Sequence, residues 1–157
     1  MNTGNRVLDV VLTTKSLQCQ KKDITLNAMV DGDLLSSIHV KDICSLFGNL
    51  IDNAIEATQM LEDPEKRLIT LSVRNRNKFI IIECENYAND PSGNLKNSRS
   101  RSLFGGRLLP RTTKPDAVRH GYGLKSITQI AEKYDGAMKC SYEDGWFKVK
   151  VLLAYKK

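Results

Sequence analysis

The stretch Asn49–Ala57, which reads Asn-Leu-Ile-Asp-Asn-Ala-Ile-Glu-Ala, carries two side-chain amides four positions apart in an otherwise apolar helical pattern. Because helical neighbours at i, i+4 and i+7 share a face, Asn49, Asn53 and Glu56 form a polar stripe. Apolar residues form a second stripe at helical spacing: Ile43, Leu46, Leu50, Ala54, Ala57 and Leu61. Such a helix can pack on a sheet and still line a pocket.

The two amides are candidate ligands for a metal ion. An amide oxygen is a hard, neutral ligand that suits Mg²⁺, which takes few protein groups and fills its shell with water and phosphate oxygens. Asn53 is the candidate metal ligand. The alternative is that Asn49 and Asn53 are only solvated on an exposed face.

The composition limits the class of protein. With 157 residues, 41% hydrophobic and 27% charged, the chain fits one soluble domain with a core. No apolar run approaches the roughly 18 residues of a membrane span, and the polar start is unlike a signal peptide, so a cytoplasmic location is expected. The cysteines are scattered without a Cys-x-x-Cys pair, which favours reduced, buried thiols over a zinc site: Cys19, Cys44, Cys84 and Cys140.

Most of the net positive charge lies in one segment. Between Tyr87 and His120, seven basic residues stand against two acidic ones, so this segment holds +5 of the net +6. A charge confined to one loop favours a small polyanion, because a duplex binder spreads its charge over a rigid face. We therefore expect no nucleic-acid partner, and a basic nucleic-acid-binding module is the alternative from another class.

Hydrophobic periodicity predicts an ordered series of helices and strands. Helices are predicted at 4–21, 40–61 and 122–135, and strands at 24–30, 67–74, 79–85, 137–142 and 146–155. Turns are predicted at Asn75–Asn77 and at Glu143–Gly145. Periodicity vanishes over 87–120, and a long structureless segment in a compact domain indicates an active-site lid or disorder.

A glycine pair stands at the predicted start of the third helix, in His120–Ser126, which reads His-Gly-Tyr-Gly-Leu-Lys-Ser. Glycines allow close backbone approach, and a helix N-terminus attracts phosphate. The run lacks the Gly-Lys-Ser of a P-loop, and it follows a long loop, unlike a dinucleotide-binding fingerprint, which follows a strand. Taken alone, Gly-x-Gly at a helix start is a weak signal.

Together, the asparagine helix, the basic loop and the glycine pair resemble the Bergerat-type nucleotide-binding fold shared by gyrase, heat-shock chaperones, mismatch-repair proteins and sensor histidine kinases. The motifs NLIDNAIEA (49–57) and HGYGLKSI (120–127) are closest to peptide-pheromone and quorum-sensing histidine kinases. The start, TGNRVLDVVLTTK (3–15), resembles the end of the dimerisation region that precedes their catalytic domain. The resemblance implies a linker region at 1–22 and a catalytic domain at 23–157, with a lid at about 87–120.

The fold that the resemblance implies is an α+β two-layer sandwich. It has a mixed, mainly antiparallel sheet of about five strands, covered on one face by helices. The cofactors that it implies are ATP and Mg²⁺, with Asn53 as the metal ligand and Asn49 as its catalytic partner. Gly121 and Gly123 would form the backbone cradle for the phosphates, with Leu124 beside the nucleotide.

Three further residues receive candidate roles from the resemblance. Asn86 stands where most of the superfamily has the aspartate that accepts from the adenine amino group, and an amide oxygen could accept the same bond. The glycines that follow that aspartate are missing here. Lys114 and His120 are candidate phosphate contacts, and the alternatives are a solvated lysine and a histidine that merely packs at the helix start.

A second departure from the family indicates the reaction. Members that hydrolyse ATP carry a glutamate general base where this chain has Asn49. An amide cannot take a proton from water, so the sequence favours transfer of the γ-phosphoryl to a stronger nucleophile. We therefore predict a histidine protein kinase that uses an imidazole on a preceding helical domain. The alternative is a serine kinase of the anti-sigma-factor type on the same fold.

The predicted acceptor histidine is not found in the sequence. His39 and His120 are the only histidines, and both lie in the predicted nucleotide-binding region. The expected parent is a longer, membrane-anchored sensor of a two-component system, in which this segment is cytoplasmic. Its expected partners are its own dimerisation and phosphoacceptor domain, a response regulator, and a second copy in a homodimer.

Overall fold

A computed structural model of the chain describes residues 2–88 and 115–155, with the backbone alone described at 115–122. The helices in these ranges are α1 (Arg6–Lys21), α2 (Val40–Thr58) and α3 (Pro115–Lys133). The strands are β1 (Thr25–Val30), β2 (Leu68–Arg76), β3 (Phe79–Tyr87), β4 (Ala137–Glu143) and β5 (Trp146–Ala154). Short 3-10 turns lie at Gly32–Leu35 and Pro64–Lys66.

The five strands form one sheet in the order β1-β2-β3-β5-β4. β1 runs parallel to β2, and the other neighbours are antiparallel. A type I′ turn connects β4 to β5, because its two central residues, Asp144 and Gly145, both have positive φ. The predicted mixed, mainly antiparallel sheet is confirmed.

Alternating side chains give the sheet one apolar and one polar face. The apolar face packs against all three helices in a single core, which includes Leu8 of α1, Phe47 of α2 and Ile127 of α3. On the polar face, Glu83 accepts ion pairs from Arg74 at 2.8 Å and Lys148 at 3.1 Å. The predicted two-layer arrangement, with helices on one face, is therefore confirmed.

Helices α2 and α3 lie antiparallel, and their register is visible in three contacts. Asp42 contacts Lys133 and Tyr134, Asn49 contacts Ser126, and Asn53 abuts Gly123. Successively later residues of α2 therefore contact successively earlier residues of α3. This register brings the asparagine pair of α2 to the glycine-bearing part of α3.

Helix α1 packs against α2. Leu8 and Leu12 are fully buried in the common core, and Lys15 Nζ lies 2.6 Å from Asp52 Oδ1. The predicted boundary after residue 22 stays a prediction, although the packing of α1 is continuous with the rest. Among the described residues, no helix combines the length and apolar character that crossing a bilayer requires.

The first hairpin turn and the start of the third helix were predicted at the wrong positions, and α2 ends at Thr58, not near residue 61. The first hairpin turns at Asn77–Lys78 and not at Asn75–Asn77, because β2 continues to Arg76 and Asn77 supplies the positive φ. Helix α3 begins at Pro115, about two turns before the predicted start near 122. Proline is favoured in the first helical turn, where its missing N–H costs nothing, and the sequence-based prediction used only the glycine pair.

Candidate functional site

Helix α2 presents the asparagine pair, and its N-terminus is capped by a histidine. His39 Nδ1 accepts a hydrogen bond from the backbone N–H of Lys41 at 3.0 Å, which satisfies one of the free donors of the first turn. The apolar stripe of α2 is buried, including Leu46, Leu50 and Ala54. The polar stripe consequently lies toward α3 and the edge of the core.

Asn53 faces α3 at close range. Its side chain is 8% exposed, and a Cβ placed on Gly123 would lie 3.1 Å from its Oδ1 and 3.4 Å from its Nδ2. Glycine at position 123 thus leaves room for the carboxamide. Within the described ranges, the buried Nδ2 of Asn53 has no hydrogen-bond partner.

The Asn53 carboxamide has a buried nitrogen without a partner in these ranges, which is unusual and fits a donor that meets a ligand oxygen. Its oxygen is the type of donor that Mg²⁺ accepts, and a cation of this kind draws its remaining ligands from water and phosphate. The residues present therefore fit a Mg²⁺–nucleotide complex at Asn53. Over residues 2–88 and 115–155, His, Cys, Asp and Glu side chains form no cluster of three that could hold a metal.

Asn49 lies one turn before Asn53 and is held by two serine hydroxyls. Its Nδ2 donates to Ser45 Oγ and to Ser126 Oγ, both at 3.3 Å. The two hydroxyl oxygens are 3.4 Å apart. Asn49 also lines an open groove of about 460 Å³ between α1 and α2, together with Lys15 and Asp52.

Asn86 lies near the end of β3, on the face of the sheet that the helices cover. It is 2% exposed, and its Nδ2 donates to the backbone oxygen of Tyr87 at 2.9 Å. This bond leaves the amide oxygen as the acceptor, which is the group that the predicted adenine contact needs. Two residues earlier on the same face, burial raises the pKa of the Cys84 thiol to about 12, and its Sγ donates to the Leu50 backbone oxygen at 3.7 Å.

The far end of the α2–α3 pair holds a compact polar cluster. The Asp42 carboxylate accepts hydrogen bonds from Lys133 Nζ, at 2.8 Å, and from the Tyr134 hydroxyl. The Lys133 bond, followed by the Tyr134 bond, holds the pKa of Asp42 below its usual range. Tyr134 also accepts from the backbone N–H of His39 at 3.0 Å. The cluster fixes the axial register of the two helices.

The remaining predicted site residues are less fully described. Lys114 lies outside the described residues, and His120 and Gly121 lie in the part of α3 where only the backbone is described. Because α3 starts at Pro115, Gly121 and Gly123 are inside the helix and do not form its first turn. The Leu124 side chain is buried in the core at 3% exposure, so only its backbone could reach a ligand.

Sequence reasoning missed Ser45 and Ser126 at the site and the Asp42 cluster at the far end. Ser45 precedes Asn49 by four positions and Ser126 follows Gly123 by three, so helical spacing could have placed both on the relevant faces. Nothing in the sequence pairs Asp42 with residues about ninety positions away. Those contacts depend on the packing of α2 against α3.

Comparisons with known proteins agree with this geometry. The structure is similar to the catalytic domain of the histidine kinase ThkA, with a TM-score of 0.67 and 18% identity over 98% of this chain and 93% of that one. It is also similar to the Acinetobacter baumannii histidine kinase AdeS, with a TM-score of 0.61 and 14% identity over 96% of this chain and 64% of that one.

A third similar structure is full-length ShkA in complex with AMPPNP, with a TM-score of 0.62 and 15% identity over 96% of this chain and 30% of that one. No curated protein matches the chain by sequence. The family model described as the GHKL domain matches residues 38–154, which covers α2, α3 and four of the five strands. The chain belongs to the GHKL domain family, and its fold is that of histidine kinase catalytic domains.

Proposed function

We propose that this domain binds Mg-ATP and serves as the catalytic domain of a sensor histidine kinase. The observation that carries the proposal is the approach of Asn53 on α2 to Gly123 on α3, where the buried nitrogen of the carboxamide lacks a hydrogen-bond partner among the described residues. The fold shared with ThkA, AdeS and the AMPPNP complex of ShkA supports it. Bound Mg²⁺ would neutralise charge on the β- and γ-phosphates.

Each residue of the site has a role in this proposal. Asn53 offers its carboxamide oxygen to the cation, and Asn49 lies one turn away on the same face. Asn86 accepts a hydrogen bond from the adenine amino group through the oxygen that its bond to Tyr87 leaves free. Lys114, His120 and the turn of α3 that holds Gly121 and Gly123 lie against the phosphates in this proposal.

The side chain of Asn49 favours transfer over hydrolysis. A carboxamide cannot act as a general base toward water, and its nitrogen is already bonded to two serine hydroxyls. The γ-phosphoryl would therefore pass to a nucleophile that needs little activation, such as an imidazole. His39 caps α2 through its Nδ1 and His120 is a proposed phosphate contact, so we propose that the acceptor histidine belongs to a separate helical domain.

The partners in this proposal follow from the chemistry of the transfer. They are a helical dimerisation domain that carries the acceptor histidine, and a response regulator that receives the phosphoryl group. The parent is proposed to be a homodimeric, membrane-anchored sensor with this domain in the cytoplasm. Residues 1–22 are proposed to form the end of the region that joins the two domains.

Nucleotide binding gives the first test. At a Mg-ADP concentration about 100 times its dissociation constant, linkage predicts about 2.7 kcal/mol of added stability against unfolding. The added stability should fall sharply when EDTA replaces Mg²⁺. Absence of any stabilisation by Mg-ADP would contradict the proposal.

Phosphoryl transfer gives the second test. The domain should be incubated with labelled ATP and a separately supplied helical hairpin that bears a histidine, and the product should be treated with acid. Phosphohistidine loses its label in acid, whereas phosphoserine keeps it. An acid-stable product on a protein substrate would assign the domain to the serine kinases of the anti-sigma-factor type.

A further inference from the structure

Two serine hydroxyls surround the nitrogen of the Asn49 carboxamide. Ser45 belongs to the same helix, four positions earlier, whereas Ser126 belongs to α3 and is 77 positions away in the chain. Both Nδ2 contacts measure 3.3 Å, and the hydroxyls lie 3.4 Å from each other. The three groups form a closed triangle at the junction of α2 and α3.

The triangle determines which way the carboxamide points. An asparagine NH₂ group has donor hydrogens and no acceptor, and both hydroxyls lie on the same side of this nitrogen, because the three distances are nearly equal. The amide oxygen, on the other branch of the planar group, is thereby directed away from the two serines. Because Ser45 lies toward the N-terminal end of α2, the oxygen is left for a ligand on the side of Asn53.

Of the two serines, only Ser126 relates the carboxamide to a second helix. Ser45 and Asn49 both belong to α2, so the contact between them does not depend on the position of α3. Ser126 follows Gly123 by three positions, and Gly123 is the residue against which Asn53 packs. The two asparagines of α2 therefore contact the same face of α3, Asn53 at Gly123 and Asn49 at Ser126.

We infer that Ser126 is a positioning residue that orients the Asn49 carboxamide toward the metal-bound phosphates. This inference rests on the proposed function. It assigns a role in the reaction to a side chain that touches neither cation nor nucleotide and acts only through Asn49. Outer groups that orient metal-site residues in this way have measurable effects on metal affinity.

The test is a calorimetric titration with ADP, in Mg²⁺ and in EDTA, of wild type, Ser126→Ala and Ser126→Thr. Ser126→Ala should lower the affinity for Mg-ADP by about 3- to 10-fold, the range of one hydrogen bond, and leave the affinity in EDTA unchanged. Ser126→Thr keeps the hydroxyl and should restore the wild-type Mg²⁺ dependence. Thermal unfolding without ligand should be alike in all three proteins.

Thr128→Val is the matched control. It removes another hydroxyl from α3, one that bonds to the Leu124 backbone oxygen at 2.9 Å, and it should leave the Mg²⁺ dependence unchanged. In an Asn49→Ala background, Ser126→Ala should have no further effect, because the group that it orients is gone.

The outcomes separate this inference from the proposed function. If wild type shows no Mg²⁺-dependent nucleotide binding, the proposed function fails. If wild type binds Mg-ADP and Ser126→Ala binds it equally well, the proposed function stands and the inference is overturned. The inference is also overturned if Ser126→Ala lowers the affinity for ADP equally in Mg²⁺ and in EDTA. It is overturned as well if Ser126→Ala has its full effect in the Asn49→Ala background. Either result indicates that Ser126 acts only in helix packing.

Discussion

The two ends of the α2–α3 helix pair treat their buried polar groups in opposite ways. At one end, the Asp42 carboxylate receives hydrogen bonds from Lys133 and Tyr134. At the other, the buried nitrogen of Asn53 has no partner in the described part of the chain. A buried polar group without a partner costs about 1–3 kcal/mol, and in the proposed function a ligand oxygen supplies the partner that the described residues do not.

The two ends of the helix pair therefore have different roles. The hydrogen-bonded cluster at Asp42 sets the axial register of the two helices. At the other end, that register places Asn53 against Gly123 and Asn49 against Ser126. Substitutions at the first end should therefore change folding stability, and substitutions at the second should change ligand binding.

The largest effect is expected from Asn53→Ala. Asn53 is the proposed direct ligand, so its loss should cost more than the roughly 3- to 10-fold expected for Ser126→Ala and should reduce Mg²⁺-dependent ADP binding by about 100-fold or more. The free energy of unfolding should change little, because the Asn53 nitrogen makes no hydrogen bond within the described residues that would be lost. Calorimetry with and without EDTA measures the first quantity, and urea denaturation measures the second.

Asn75→Ala is the control for that variant, since Asn75 is exposed on β2, at the far end of the β2–β3 hairpin. It should leave both quantities unchanged. Retention of the full Mg²⁺ dependence in Asn53→Ala would remove the metal assignment and, with it, the contrast between the two ends.

The next effect is expected from Asp42→Asn at the satisfied end. The substitution removes a charged acceptor and should destabilise the fold by about 1–2 kcal/mol, toward the low end for charge-assisted bonds because Lys133 can turn to solvent. Affinity for Mg-ADP, measured per folded molecule, should stay close to that of wild type. An affinity loss without a loss of stability would show that Asp42 belongs to the binding site.

Asp52→Asn provides the matched control on the same helix. Asp52 pairs with Lys15 at 2.6 Å, but its side chain is 49% exposed, and exposed ion pairs contribute about 0.2–1 kcal/mol. The destabilisation should therefore be clearly smaller than that caused by Asp42→Asn.

The Asp42 hydrogen bonds should make the free energy of unfolding fall as the pH is lowered. Its pKa is lowered in the folded state, chiefly by the Lys133 hydrogen bond. The folded chain therefore binds a proton at Asp42 less readily than the unfolded chain does. The stabilisation is complete above the ordinary carboxyl pKa and is lost as the pH falls through the lower folded value.

Urea denaturation of wild type and Asp42→Asn from pH 6 down to pH 3 would measure this dependence. The stability difference between the two proteins should narrow as the pH falls toward the acid end. A difference that stays constant over this range would exclude the proposed ionic role of Asp42.

The smallest effects are expected from two glycines in these helices. Gly48 lies mid-helix in α2, and apart from its own helix backbone no described atom lies within 4 Å of the position that a Cβ would occupy there, so Gly48→Ala should stabilise the fold by about 0.5–1 kcal/mol. Gly123→Ala has the same helix preference, but its methyl group would press on the Asn53 carboxamide. It should gain less stability and bind Mg-ADP more weakly than wild type, as scanning calorimetry and titration would show.

Equal Mg-ADP affinities in the two glycine variants would contradict the close packing of Asn53 on Gly123. Equal gains in stability would show that the carboxamide moves aside without cost. Either result would weaken the argument that glycine is needed at position 123 because of the amide opposite it.

The sequence predicted most of the fold because the relevant signals are local. The spacing of apolar residues in α2 and the alternation in β2 and β3 each depend on a few neighbouring positions. The predicted start of α3 was wrong because the sequence offers two helix-start signals, Pro115 and the Gly121–Gly123 pair, and local chemistry does not rank them. The candidate metal ligand, Asn53, was predicted from its spacing and from the family resemblance.

By itself, the sequence determined the order of the elements, the two-layer class and the face of α2 that bears Asn49 and Asn53. Only the folded chain decided which residues of α3 lie opposite that face, since the contacts of Asn49 with Ser126 and of Asp42 with Lys133 span 77 and 91 positions. Periodicity states which way a side chain points along its own helix. It carries no information on the axial register of two helices, which is set by side-chain packing and by the polar cluster at their far end.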